Sequence, residues 1–299
     1  MGYLYLCLAC MFGLTKGYCG KRVSGYVKES RDAMLANSLR MGICVVIGFF
    51  FVVVMNGFAG FNIGGTGILI SFISGVSNAV FVVSWLFAVN RGAYMLVDVF
   101  LTLGLIIPIS LSTIFFGEEI RLNHYIGFAV LLIAVIIMCS YSSSVKSKID
   151  LNSLLLLSLS GIAQGFSSFA QKWFVRTLDT NVVSSFNFYT YVFSGAVLVT
   201  AYLLIKSKKK DTENGTQKFS LNRIWIYVVI MAVMLFLNSY FMTLAASKLD
   251  AVLLYPLSTG LGLGLSAAMS AIAFKEKITV RCIVGIVLAF AALLIINLL

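Results

Sequence analysis

Phe116-Gly117-Glu118-Glu119-Ile120 and, 158 residues later, Phe274-Lys275-Glu276-Lys277-Ile278 are the two stretches on which the fold turns. Each interrupts a long apolar run with a short charged turn. Each is followed by another apolar run with a glycine at the same distance, Gly127 and Gly285. The offset extends backward, where Leu86, Ala88, Ala93, Leu103, Gly104 and Leu105 meet Leu244, Ala246, Ala251, Leu261, Gly262 and Leu263. Nearer the start, an offset of 148 superposes Gly13-Leu14-Thr15-Lys16-Gly17 on Gly161-Ile162-Ala163-Gln164-Gly165. Matches that keep their order and share offsets mark a duplication. Two units are expected, 1–142 and 150–299.

The surrounding composition says in which solvent these units sit. Of 299 residues, 60% are hydrophobic and 11% charged, and the mean hydropathy is +1.00. A helix needs about 20 apolar residues to cross the bilayer core, and lipid leaves helices or a closed barrel as the only spanning structures. Unbroken runs such as 131–138 and 283–299 lack the alternation of barrel strands. The expectation is an all-α integral membrane protein with ten transmembrane helices. They fall near 2–20, 34–55, 67–89, 93–116 and 122–141, then 152–176, 181–205, 223–247, 251–274 and 279–298. Five crossings per unit is odd, so the second unit enters from the opposite side: an inverted repeat.

Positive charge orients the chain, because cytoplasmic connections retain Lys and Arg. Connections 1-2 (counting Arg40), 3-4, 5-6, 7-8 and 9-10 hold seventeen, whereas the other face holds Arg121, Lys172, Arg176 and Lys248. Both termini are expected outside, in a bacterial inner or plasma membrane. The net charge of +11 is spread between apolar runs and not gathered on one basic face, which argues against nucleic acid as a partner. The six cysteines read as small apolar residues. Gly2 to Leu14 has no basic stretch before it and reads as a retained first helix.

Leu86 to Ala93, Phe116-Gly117-Glu118-Glu119 and Phe274-Lys275-Glu276-Lys277, within this two-unit layout, resemble the drug/metabolite transporter superfamily and in particular its EamA-like permeases. The resemblance implies ten helices, a central cavity lined by helices 1, 3, 4, 6, 8 and 9, and transport of small organic metabolites. The chain departs from many relatives in the 2-3 connection, where Asn56 to Gly67 carries no charge.

Gly13, Lys16, Gly17 and Gly20 on helix 1 and Gly161, Gln164, Gly165 and Ser168 on helix 6 share the spacing i, i+3, i+4, i+7 and so form one stripe each. Glycines admit close helix packing, and Lys16 and Gln164 project polar groups from the same stripes. Asp98 is the one carboxylate well inside an apolar run, where an ionised group needs a partner or water. With Tyr94 and Thr102 it marks one face of helix 4 and is the coupling candidate. Helix 3 offers Asn78 and Trp85, helix 8 Asn238, and helix 9 Tyr255, with Pro256 and Gly260 as packing or hinge positions. Asn187, Tyr191 and Ser194 align on helix 7. Glu118, Glu119 and Glu276 stand where a carboxylate favours the next helix N-terminus.

No paired histidines, intramembrane Ser-His pair or acidic cluster points to catalysis or a metal, and no cofactor is implied. The motif G-x-x-x-x-G-K-[ST] does not occur. The expected function is secondary transport, active or facilitative, of a small organic metabolite by alternating access, with proton-coupled export one form of it. The partners are the lipid bilayer, a small-molecule substrate and protons, in a monomer or homodimer. The alternative is an intramembrane enzyme or lipid-handling protein with an amphipathic cavity.

Overall fold

Long apolar runs become helices in this chain because a helix satisfies its own backbone, and glycines and short polar segments end them. The computed structural model describes residues 1–27, 30–91, 100–102, 104–142, 151–208, 221–275 and 280–298. In chain order the helices are α1 (Gly2–Ser24), α2 (Ser30–Asn56), α3 (Gly64–Arg91), α4 (Ile106–Phe116) and α5 (Leu122–Ser142). They continue as α6 (Leu151–Thr177), α7 (Val183–Lys208), α8 (Leu221–Ala246), α9 (Ala251–Ala273) and α10 (Val280–Leu298). The described residues contain no strand.

Five stretches are long and apolar enough to cross a membrane: Asp32–Asn56, Gly64–Ala88, Thr180–Leu204, Ile224–Ala246 and Ala251–Ala273. Shorter apolar stretches are Phe100–Phe116, Leu122–Ala134 and Ile283–Ile296. The helices α1 and α6 are less apolar because they carry Lys16 and, on α6, Gln164, Gln171 and Lys172. Polarity is turned inside out relative to a water-soluble protein. Val54, Ile114, Phe115 and Ile136 face outward and exposed, while Ser71, Ser185, Asn187 and Lys172 are buried. Such a surface suits lipid.

Helix α1 packs along α8 and α3 along α6. Helix α2 lies on α7, and α5 lies on α10. Weaker pairings join α4 to α6, α1 to α9, α3 to α7 and α2 to α8. The two charged turns of the sequence share a backbone feature: Gly117 closes α4 in the left-handed region at φ 65°. Lys275, the position aligned with it, has φ 52° and is the non-glycine residue with positive φ among those described.

Two boundaries and one charge assignment differ from the sequence expectation. Helix α1 runs on to Ser24. Helix 4, expected as one rod from 93, is interrupted: Gly104 N–H bonds Leu101 O, Leu105 N–H bonds Thr102 O and Ile107 N–H bonds Gly104 O, all three-residue steps, before α4 begins at Ile106. Pro108 then sits in the first turn, where its missing N–H goes unneeded. Arg40, counted with a connection, lies inside α2 and is 3% exposed, so the cytoplasmic tally loses one charge.

Candidate functional site

A cavity of about 200 Å³ opens where α1, α3, α6, α8, α9 and the Leu101–Pro108 region meet. These are the six helices that the resemblance names. Of the residues singled out in the sequence, Lys16, Trp85, Gln164, Asn238 and Tyr255 line it, as do Gly13, Gly17 and Gly165. A smaller chamber of about 50 Å³ shares Lys16, Phe81, Gln164, Asn238 and Met242 with it and adds Asn78, Gln171, Thr190 and Ser239. Tyr94 and Asp98 lie outside the described residues, and so does Glu276.

Several of these side chains also fasten helices together. Asn238 Nδ2 donates to Ala9 O at 2.7 Å, tying α8 to α1. Tyr255, 1% exposed, donates through its hydroxyl to Ser168 O at 2.5 Å, tying α9 to α6. Asn78 Nδ2 donates to Ser194 Oγ at 3.1 Å. In the smaller chamber Gln171 Nε2 donates to Ser239 Oγ at 3.2 Å, which donates to Asn187 Oδ1 at 2.6 Å. Tyr191 OH donates to Leu235 O. Membrane helices use such bonds because an unpaired polar group in hydrocarbon is costly.

The glycines divide by role. A Cβ on Gly161 would meet Phe100 O at 2.7 Å, and one on Gly104 would strike the Gly161 backbone. Gly165 faces Gly104 O and the Ile107 side chain in the same way. The interrupted start of α4 therefore lies against α6 backbone to backbone. A Cβ on Gly13 would come 3.1 Å from Asn238 Nδ2, at the cavity wall. Pro256 lies inside α9, and it and Gly260 are buried.

Sequence reasoning passed over Ser258, Thr259 and Ser266, which line the cavity from α9. With Tyr255 and Gly262 they stand at i, i+3, i+4, i+7 and i+11, a small and polar stripe that was legible. It also passed over Pro108 and Cys10. Cys7 and Cys10 are free thiols three residues apart on α1, and Cys10 lines the cavity with its Sγ 3.9 Å from Ser258 O.

Away from the cavity, four charges from three segments meet. Glu118 Oε1 is 3.0 Å from both Lys172 Nζ and Arg176 Nη2, and Arg176 Nη2 is 3.0 Å from Asp250 Oδ1. Glu118 Oε2 accepts from Ala251 N at 2.8 Å, so it caps α9 and not the helix that follows it in sequence. Lys172 Nζ donates to Leu249 O at 2.6 Å and Ala246 O at 3.2 Å at the end of α8. The start of α5 is capped instead by His124, whose Nδ1 accepts from Arg121 N at 2.8 Å. Burial pushes the Glu118 carboxyl up, but the Lys172 ammonium and the bonds from Lys172, Arg176 and Ala251 outweigh it and hold the group below the ordinary glutamate value.

Among curated protein sequences none matches this chain. Twenty-eight solved chains match it in three dimensions. One, a crystal structure of a protein 15% identical in sequence, superposes with a TM-score of 0.72 over 99% of this chain and 96% of its own. That likeness concerns the fold. Residues 151–298 match the EamA-like transporter family. With its apolar outer surface and amphipathic cavity, the chain belongs to the EamA-like transporter family and is a multi-pass membrane transporter of the drug/metabolite transporter type.

Proposed function

We propose that the chain is a secondary transporter, active or facilitative, that moves a small organic metabolite by alternating access between two inverted five-helix repeats, 1–142 and 150–299. The observation that carries this is the facing of the two matched stripes. Lys16 and Gly17 from α1, and Gln164 and Gly165 from α6, line one cavity at positions related by the internal offset. The packing supports it as well. Exchanging each helix for the one five places away turns α1–α8 into α6–α3, α3–α7 into α8–α2 and α4–α6 into α9–α1, all of which occur. A site between inverted repeats can be exposed to either side as one repeat rocks against the other.

The cavity wall has an apolar part at Phe81, Trp85 and Met242 and a polar part at Lys16, Gln164, Ser168 and Asn238. It suits an amphipathic small molecule. Asp98 is the coupling residue in this reading, with both termini outside and the 7-8 connection in the cytoplasm. The test is uptake and efflux of a metabolite panel in proteoliposomes holding wild type, Gln164→Leu or Asp98→Asn, with and without an imposed pH gradient. Saturable flux that weakens in Gln164→Leu and loses its gradient dependence in Asp98→Asn is expected. Flux indifferent to the gradient in wild type would remove proton coupling. No flux for any compound from a folded preparation would favour an intramembrane enzyme or lipid-handling protein.

A further inference from the structure

Six buried side-chain polar atoms find no hydrogen-bond partner among the described residues: Asn37 Oδ1, Ser38 Oγ, Arg40 Nε, Arg40 Nη2, Ser112 Oγ and Thr190 Oγ1. All but Ser112 lie on α2 and α7, two helices that pack along one another. Buried polar groups in folded proteins are nearly always paired, so four unpaired atoms on three neighbouring residues of α2, Asn37, Ser38 and Arg40, need an explanation. Arg40 is the strongest of them. It is 3% exposed, and α2 has 27 residues, which places Arg40 about 15 Å from the start of the helix and close to its middle. Its neighbours are otherwise engaged: Asn37 Nδ2 donates to Ala33 O, Cys44 Sγ to Ala232 O and Tyr191 OH to Leu235 O. No described carboxylate forms an ion pair with it.

The two unpaired nitrogens are chemically informative. Nε and Nη2 form one edge of the guanidinium, with their N–H bonds parallel and in plane, and that edge accepts two oxygens of a carboxylate or phosphate side by side. A charge at this depth faces a partner or a water-filled space. Thr190 and Tyr191 also line the smaller chamber, and Met41, the residue after Arg40, receives a 3.7 Å contact at Sδ from Asn78 Nδ2 in the same chamber. Arg40 is thus next in sequence to a residue that touches the wall of the smaller chamber.

We propose that the α2–α7 seam is an anion site in which Arg40 holds an oxyanion, a carboxylate or phosphate group, through Nε and Nη2. Ser38, two residues before Arg40 on α2, adds a hydroxyl whose bonding capacity is unused. The site is separate from the central cavity and stands whether or not that cavity carries a metabolite.

The test uses full-length protein in phosphatidylcholine nanodiscs, with sodium acetate exchanged for sodium chloride at constant ionic strength while the thermal midpoint is followed. Chloride lacks the planar pair of oxygens. Wild type should rise by about 3 °C in acetate, Arg40→Gln should not, and Arg40→Lys, which keeps the charge without the fork, should rise by less than half as much. If phosphatidylglycerol nanodiscs without acetate already show the rise and acetate adds nothing, the oxyanion is a lipid phosphate; if acetate still adds, it is a soluble carboxylate. No rise in wild type in either lipid, or an equal rise in wild type and Arg40→Gln, overturns the site and leaves ordered water on the seam. Should Arg40→Gln fail to fold, an equal rise in wild type and Arg40→Lys overturns it as well.

Discussion

Replacing Glu118 by Gln keeps an acceptor for Ala251 N but leaves Lys172, whose side chain is 2% exposed, without its closest counter-charge. Losing one partner of a buried pair costs about 3 kcal/mol, and Glu118→Gln should lower the denaturation midpoint in detergent accordingly. The same carboxyl ties stability to pH. Its value in the folded protein lies below the 4.5 of a free glutamate, so the unfolded chain binds the proton more readily between the two. The stabilisation is complete above about pH 4.5 and is lost as pH falls through the lower, folded value. Wild type should therefore lose more stability than Glu118→Gln between about pH 5 and pH 3; equal losses would contradict the assignment. A second residue-scale prediction concerns the two left-handed positions. Lys275→Gly should stabilise and Gly117→Ala destabilise, each by about 1 kcal/mol, because only glycine adopts that backbone without a Cβ penalty. Thermal melts of the two variants check the opposite signs.

At the scale of helices, the crossing of α6 over the Phe100–Gly104 segment is set by absent side chains. Gly161→Val would drive a β-branched side chain into Phe100 O and should cost about 3 kcal/mol or abolish folding, whereas Gly262→Ala, whose Cβ meets nothing within 4 Å, should be tolerated. Size-exclusion profiles of the two variants separate them. The stripes behind this crossing were legible, because residues at i, i+3 and i+4 share a face whatever the helix packs on. The two matched turns were legible too, and Gly117 and Lys275, aligned in them, both adopt positive φ. The interruption of helix 4 was not legible: an apolar run containing Gly104 and Pro108 can continue or break, and the Gly161 and Gly165 backbone that accommodates the break comes from another helix. Arg40 misled for a related reason. Counting basic residues assigns each arginine to water, and nothing local to Arg40 shows that α7 and α8 cover it. The partners of Glu118 lie 54 to 133 residues away and were invisible to spacing.

For the molecule as a whole, the Glu118–Lys172–Arg176–Asp250 cluster joins the α4–α5 turn to α6 and to the α8–α9 turn, one unit to the other. Under the proposed rocking of one unit against the other, its distances change. Arg176, 44% exposed in its side chain, can be altered without stranding a buried charge. Arg176→Gln should loosen this face and raise the rate at which a membrane-impermeant thiol reagent, added from the cluster's side, labels Cys10 in a protein whose other cysteines are serine. A rate unchanged from the parent would show that the cluster does not restrain access to the cavity. The cluster also has a temporal side. The ribosome releases Glu118 first, the two basic residues about 50 residues later and Asp250 last, so the cap of α9 waits in the nascent chain for a helix not yet made. Until the α8–α9 turn emerges, the Ala246 and Leu249 carbonyls that Lys172 will hold and the Ala251 N–H that Glu118 will cap do not exist, so each side chain lacks part of its set of partners. A chain arrested before Asp250 should therefore be more open to protease at Glu118 than the full chain, because this face closes only once the α8–α9 turn has been made.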